Sequence, residues 1–257
     1  VKKVIAITNQ KGGVGKTTTA LNISTAMALE GERVLVIDSD PQGNLTSGLG
    51  IKKDRIRHGL YDVYTSRASA GDALIDTGIT GLHAITASSD LFGAEIELLE
   101  RSEREDTLRQ LIEPVWDDFD YIFIDCPPSF GLLTLNALVA SRSVLVPVQC
   151  EYFALDGLSL LIKLLWRIRG GFNVALDLEG ILLTMFNRHM ALSHQIADDV
   201  RKAFKSKVYD TTIPRNIILA EAPGYGKPAV VYSPESPGAR AYREVAKEII
   251  NENMLLV

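Results

Sequence analysis

Residues 9–18 read NQKGGVGKTT, a run in which three glycines and two lysines precede a pair of threonines. Glycines at 12, 13 and 15 allow backbone N–H groups to curl around phosphate oxygens, and a helix starting at Lys16 adds its positive N-terminal end. Lys16 supplies a charge to β- and γ-phosphates, and the Thr17 hydroxyl suits Mg²⁺. The phosphate-loop pattern G-x-x-x-x-G-K-[ST] is met at Gly15, Lys16 and Thr17, but it asks for glycine where this chain has Gln10. The departure comes with a second lysine, Lys11, for which the ordinary loop has no use. Two carboxylates add to the pattern: Asp38 closes the apolar run VLVID and Asp125 closes YIFID. Asp125, a carboxylate ending an apolar strand, fits the Walker B role of holding Mg²⁺ through water. A glycine turn alone is often only a turn, and a strand-terminal aspartate is often a helix cap. Their coincidence at matched strand ends is what predicts a nucleoside-triphosphate site.

Strands must position these groups, and the sequence supplies them. Short β-branched runs, KVIAIT, RVLVID, YIFID, SVLVPV, GILLTM and VYDTTIP, alternate with helix-length segments. Such a succession predicts an α/β, doubly wound, mostly parallel sheet with helices on both faces, where ligands sit beyond the carboxyl ends of the strands. Ala20, Ile23 and Met27 fall at helical spacing and Gly31 stands at the stop, so residues 16–30 read as a helix. Residues 50–118 are less regular, with LHAIT as the one convincing strand and ERSERED as a solvated link between two helices. The spacing predicts a helix over 154–169, apolar on more than one side, with Leu158, Leu161, Leu165 and Ile168 in one stripe and Ile162 and Trp166 beside it. Core burial is the favoured reading of that helix, and an interface the other. Ser236 and Pro237 form an N-cap and first-turn pair for a helix that turns Tyr242, Val245 and Ile249 inward.

Composition narrows the classes. A chain of 257 residues with 46% hydrophobic content reads as one domain, residues 1–257. Its net charge of −5 excludes an electrostatic nucleic-acid binder overall, so any DNA contact must come from a local basic patch. The two cysteines, Cys126 and Cys150, form no C-x-x-C pair, which argues against a disulfide framework, a zinc site or an iron–sulfur cluster held by one chain. The stretch LSLLIKLLWRI is broken by Lys163 and Arg167, so nothing reads as a membrane span, and a soluble, cytoplasmic protein is expected.

KGGVGKTT, VIDSDPQGN, IDCPPS, PVQCEYFALDG and IPRNIILAEAP occur in the order seen in the ParA/Soj branch of the deviant Walker A ATPases, and the chain resembles that family over essentially its whole length. The resemblance implies ATP and Mg²⁺ as ligands, with Gly12, Gly13, Val14, Gly15, Lys16, Thr17 and Thr18 on the nucleotide. It implies that Lys11 reaches across a nucleotide-sandwiched homodimer to the partner's phosphates. A cation supplied in trans stabilises transition-state charge and ties hydrolysis to pairing. It places Thr17, Asp38 and Asp125 around the metal, gives Asp40 the attacking water, and sets Asn187, Pro214 and Arg215 against adenine. For Glu151 two readings stand, contact with the partner's ribose and a structural hydrogen bond.

The family resemblance further implies nonspecific double-stranded DNA binding by the ATP-bound dimer, a nucleoid-associated location, and a ParB/Spo0J-like protein that triggers hydrolysis during chromosome or plasmid segregation. Basic candidates are Arg188, Arg201, Lys202, Lys205, Lys207, Arg215, Lys227, Arg240 and Arg243. Arg201, Lys202 and Lys205 equally suit a helix C-terminus, which favours cations. Many Soj-like chains carry arginine where this one has Ile218, and FNRHMALS also departs from common forms. Alternatives are a ParA-like positioner of another cargo, such as a chemoreceptor cluster or carboxysome, and a MinD-like membrane switch. The ending INENMLLV lacks the basic amphipathic helix a membrane switch needs, so no stable membrane association is expected.

Overall fold

The computed structural model describes residues 3–254. Seven strands form one sheet: β1 (Lys3–Ile7), β2 (Val34–Asp38), β3 (Ile75–Asp76), β4 (Leu82–Ile85), β5 (Tyr121–Asp125), β6 (Ser143–Gln149) and β7 (Asp177–Thr184). Their order is β3-β4-β2-β5-β1-β6-β7, parallel throughout except for the antiparallel edge pair β3–β4. The expected mostly parallel, doubly wound sheet is what forms.

Strand composition explains why both faces are covered. In β1, Val4 and Ala6 join one hydrophobic cluster while Ile5 and Ile7 join the other; in β2, Leu35 and Ile37 divide from Val34 and Val36 in the same way. A strand apolar at every position buries both its faces only when helices pack above and below it. On one face the Lys16–Leu29 helix is sandwiched between the sheet and the Pro237–Met254 helix. Tyr242, Val245 and Ile249 are buried in that cluster, and the Tyr242 hydroxyl meets Thr19 Oγ1 at 3.1 Å. The other face carries the helices Leu132–Ala140 and Ala154–Gly171.

Two expectations are corrected. The run VYDTTIP is not a seventh long strand; it makes only isolated bridges, Val208 with Ile181 and Pro214 with Phe186. Tyr209 N and Ile213 N still reach the Ile181 and Leu183 carbonyls of β7, but between them the N–H groups of Asp210 and Thr211 bond the Glu248 carboxylate at 2.9 and 3.0 Å, and Pro214 has none. The Ala154–Gly171 helix is buried along Leu158, Leu161, Leu165 and Ile168 with Ile162 half-buried beside them, while Trp166 stands 58% exposed. Arg169 packs over the Trp166 ring at 5.2 Å, a surface arrangement rather than a core one.

Residues 50–118 fold as short helices around β3 and β4, with ERSERED in the turn between the helices Leu91–Leu99 and Thr107–Ile112. No helix among the described residues is long and apolar enough to cross a membrane, and the tip Leu255–Val257 lies outside them.

Candidate nucleotide site

The central strand order builds the site. β1 lies between β5 and β6, and β5 lies between β1 and β2, with Ile7 level with Asp125 and Asp125 level with Asp38. The glycine loop leaving β1 and the two aspartates therefore open onto one carboxyl edge of the sheet, the place where doubly wound folds bind ligands.

Backbone geometry explains the glycines. Gly13 and Gly15 have φ of 76° and 92°, a left-handed conformation that L side chains rarely adopt. Gly15 is the N-cap of the Lys16–Leu29 helix, and no side chain caps that end. The first-turn N–H groups are thus left for an anion. The loop is anchored from behind: Thr184 Oγ1 donates to the Val14 carbonyl at 2.8 Å, and Asn9 Nδ2 donates to the Pro147 carbonyl at 2.8 Å. Val14 is buried, and Thr17 and Thr18 lie on the first helical turn, half-buried.

The charged groups sit in a dry setting. Lys16 is buried, and its ammonium donates to the Lys11 carbonyl at 3.3 Å. Burial lowers its pKa, against the opposing pull of Asp125, Cys126 and Asp40. Asp38 is fully buried; its Oδ2 accepts from Thr46 N at 2.8 Å and Thr46 Oγ1 at 2.7 Å, and its Oδ1 from Asp40 N at 3.3 Å. Burial nevertheless pushes the Asp38 carboxyl up to about 6. Asp125 is also fully buried and is raised well above the ordinary value by burial first and by Asp38 second. The neighbouring Thr17 hydroxyl tempers that rise, but neither Asp125 oxygen has a partner at normal hydrogen-bond geometry. Asp40 is buried as well, with Oδ1 accepting from Gln42 N at 3.0 Å.

Two buried carboxylates side by side, one with both oxygens unsatisfied, beside a lysine and a threonine hydroxyl, fit a hydrated divalent cation. Mg²⁺ keeps most of its waters and needs only one or two protein oxygens plus phosphates.

The remaining nominated residues separate into two groups. Asn187 and the Pro214–Arg215 pair are brought side by side: Phe186 N bonds the Ile213 carbonyl at 2.9 Å and Arg215 N bonds the Phe186 carbonyl at 3.1 Å. Among the basic candidates, Arg188, Lys202, Lys205, Lys207, Arg215, Lys227 and Arg240 are exposed. Arg201 is half-buried against the Asp210 carbonyl, Arg243 against the Val230 carbonyl, and Lys207 pairs with Asp177 at 3.2 Å. Cys126 and Cys150 are buried free thiols whose pKa values burial raises, Cys150 to about 11, so both behave as small core residues.

Three residues were missed in the sequence. Thr46 lies eight positions after the aspartate it holds, and Thr184 is far along the chain from the loop it braces, so neither has a local signal. Asn9 had one: an Asn opening a glycine turn commonly bonds the backbone two residues on, as Oδ1 does here to Lys11 N at 3.0 Å.

The fold and loop define a P-loop nucleotide-binding protein of the deviant Walker A type. A family model described as AAA domain matches residues 2–178. The chain is 50% identical over 247 residues to sporulation initiation inhibitor protein Soj of Bacillus subtilis (strain 168), covering 96% of this chain and 98% of that protein. It is 49% identical over 251 residues to chromosome partitioning protein ParA of Caulobacter vibrioides, covering 97% and 94%. Among solved structures, that of cobyrinic acid a,c-diamide synthase from Mycobacterium smegmatis, with bound ADP and magnesium, superposes with a TM-score of 0.85 at 36% identity, covering 97% of this chain and 94% of that one. The chain belongs to the ParA/Soj family of chromosome-partitioning ATPases.

Proposed function

We propose that residues 1–257 act as one Mg²⁺-dependent ATPase unit that pairs on ATP, associates with duplex DNA without sequence preference, and segregates chromosomal or plasmid DNA with a ParB-like activator. The observation that carries this reading is the pair Asp38–Asp125 at adjacent strand ends, with both Asp125 oxygens unpartnered and the uncapped Lys16–Leu29 helix alongside.

In this reading the loop N–H groups and Lys16 hold the triphosphate, a reading supported by the bound ADP and magnesium of the structural relative from Mycobacterium smegmatis. Thr17 and Asp125 hold Mg²⁺, Asp38 orders its outer shell, and the metal when bound neutralises charge on the phosphate oxygens. Asp40 orients the attacking water. Asn187, Pro214 and Arg215 take the adenine end, supported by their juxtaposition across the Phe186–Arg215 bond. Lys11 acts on the phosphates of a second copy, so hydrolysis waits on pairing and acts as a timer on the paired state.

DNA contact by a chain of net charge −5 needs a local patch doubled by pairing. The exposed Arg188, Lys202, Lys205, Arg215, Lys227 and Arg240 are the candidates, with Arg201 the least available because its guanidinium is occupied. The test is binding of the Asp40→Ala protein to nonspecific duplex DNA at moderate salt, with ATP, with ADP and without nucleotide. Binding only with ATP is expected; equal binding in all three states, or none, overturns the DNA part of the reading.

A further inference from the structure

Lys11 is engaged within its own chain. Its ammonium donates to Glu151 Oε2 at 2.7 Å, and the two side chains are 48% and 51% exposed. Glu151 is itself held, since its other carboxylate oxygen accepts from the Gln149 amide. The Lys11 backbone is fixed at both ends, its N–H on Asn9 Oδ1 and its carbonyl under the Lys16 ammonium. An ammonium in contact with a carboxylate of its own chain cannot at the same time put its charge on a phosphate bound by another copy. The ion pair must open first.

The residues that would feel a second copy lie in the same turn. Glu151 is followed by Tyr152 and Phe153, 74% and 69% exposed, with ring centroids 5.2 Å apart in an edge-on pair. The turn is tied down by backbone bonds from Glu151 N to Gln149 O and from Ala154 N to Glu151 O. A body that approaches Lys11 closely enough to receive its charge therefore presses on the turn that carries Glu151.

We infer that Glu151 is a positioning residue that keeps Lys11 in its own chain until a second copy is seated, so that the Lys11–Glu151 ion pair sets the threshold for ATP-driven pairing. The inference rests on the proposed trans role of Lys11. Glu151 thereby opposes pairing, whereas a Glu151 that contacts the partner's ribose would favour it. The two roles predict opposite signs for one substitution.

Glu151→Gln keeps the shape of the side chain and removes its charge. An exposed ion pair contributes a factor of about 1.5 to 5. Two such pairs open per dimer, so the dimer should tighten by the square of that factor, about 2- to 25-fold. The measurement is the protein concentration for half-dimerisation with Mg·ATP by light scattering, made in the Asp40→Ala background so that hydrolysis does not intervene. A second arm uses nucleotide-free protein and trace acetylation of lysines with acetic anhydride read by mass spectrometry. Lys11 labelling should rise by about the single-pair factor, with the other lysines unchanged. Gln149→Ala, which loosens Glu151 while keeping its charge, should move both readouts the same way by less. An unchanged or weakened dimer, or unchanged Lys11 labelling, overturns the inference. If the Asp40→Ala parent fails to dimerise with ATP at all, the proposed trans role falls and the threshold with it. The labelling arm then still reports whether Glu151 holds Lys11.

Discussion

Asp38→Asn should make the nucleotide-free protein more stable while impairing its response to nucleotide. Asp38 is fully buried and its carboxyl is pushed from 3.8 to about 6, chiefly by burial. At 1.36 kcal/mol per pKa unit, holding the ionised form costs the fold about 3 kcal/mol near neutral pH. An asparagine carries no charge to desolvate. It keeps one oxygen for the two Thr46 donors, but its NH₂ then faces the Asp40 N–H, forfeiting about 1 kcal/mol. The net gain of about 2 kcal/mol corresponds to a rise in Tm of about 4–8 °C for a chain of this size. The sign of the pH dependence follows from the raised folded-state value. The favourable contribution of Asp38 is complete below the unfolded value near 4 and is lost as pH climbs through about 6. The advantage of the variant should therefore be full at pH 7.5 and fall below about 1 kcal/mol near pH 5. Thermal unfolding followed by circular dichroism, in chelator and without nucleotide, reads both values. Adding Mg·ATP should reverse the order, because only the wild type has both carboxylates for the cation. A Tm at pH 7.5 no higher than wild type, or a gain that is the same at both pH values, would refute the argument that a desolvated charge is stored here for a ligand.

Two further perturbations address separate parts of the molecule. Lys16→Ala should weaken binding of a fluorescent ATP analogue by about 10- to 100-fold or more, since a charge-assisted contact is worth about 1.5–3 kcal/mol; wild-type affinity would remove Lys16 from the phosphate site. Gly180→Ala should lower Tm by about 2–12 °C, because a Cβ there would stand 2.6 Å from Cε2 of the buried Tyr209 ring and overpacking costs about 1–3 kcal/mol. An unchanged melting curve would show that the Tyr209 ring can yield.

Local sequence was informative where the chemistry and the backbone requirement coincide. Gly13 and Gly15 are glycine because of their positive φ, and the same residues signal the phosphate loop. Asp38 and Asp125 end runs that are apolar at every position, so the strands and their terminal carboxylates were read together. The reading failed where tertiary partners competed for the backbone. VYDTTIP has the composition of a strand, yet Glu248, from a helix far along the chain, takes the Asp210 and Thr211 donors and interrupts the pairing with β7 that Tyr209 and Ile213 make. The Ala154–Gly171 helix was read as apolar on more than one side because Ile162 and Trp166 flank its stripe, but only packing decided that Ile162 is half-buried against the core while Trp166 is exposed.

By itself the sequence determined the class of fold, the phosphate loop and the aspartates, because each depends on short-range stereochemistry or on burial that apolar runs impose directly. Tertiary structure alone decided that β5 inserts between β1 and β2, which sets Asp125 level with Asp38, so that the Asp38 charge adds to burial in raising the Asp125 pKa. It also decided that Lys11 rests on Glu151, 140 positions away, because strand order and not sequence separation brings the carboxyl ends of β1 and β6 together.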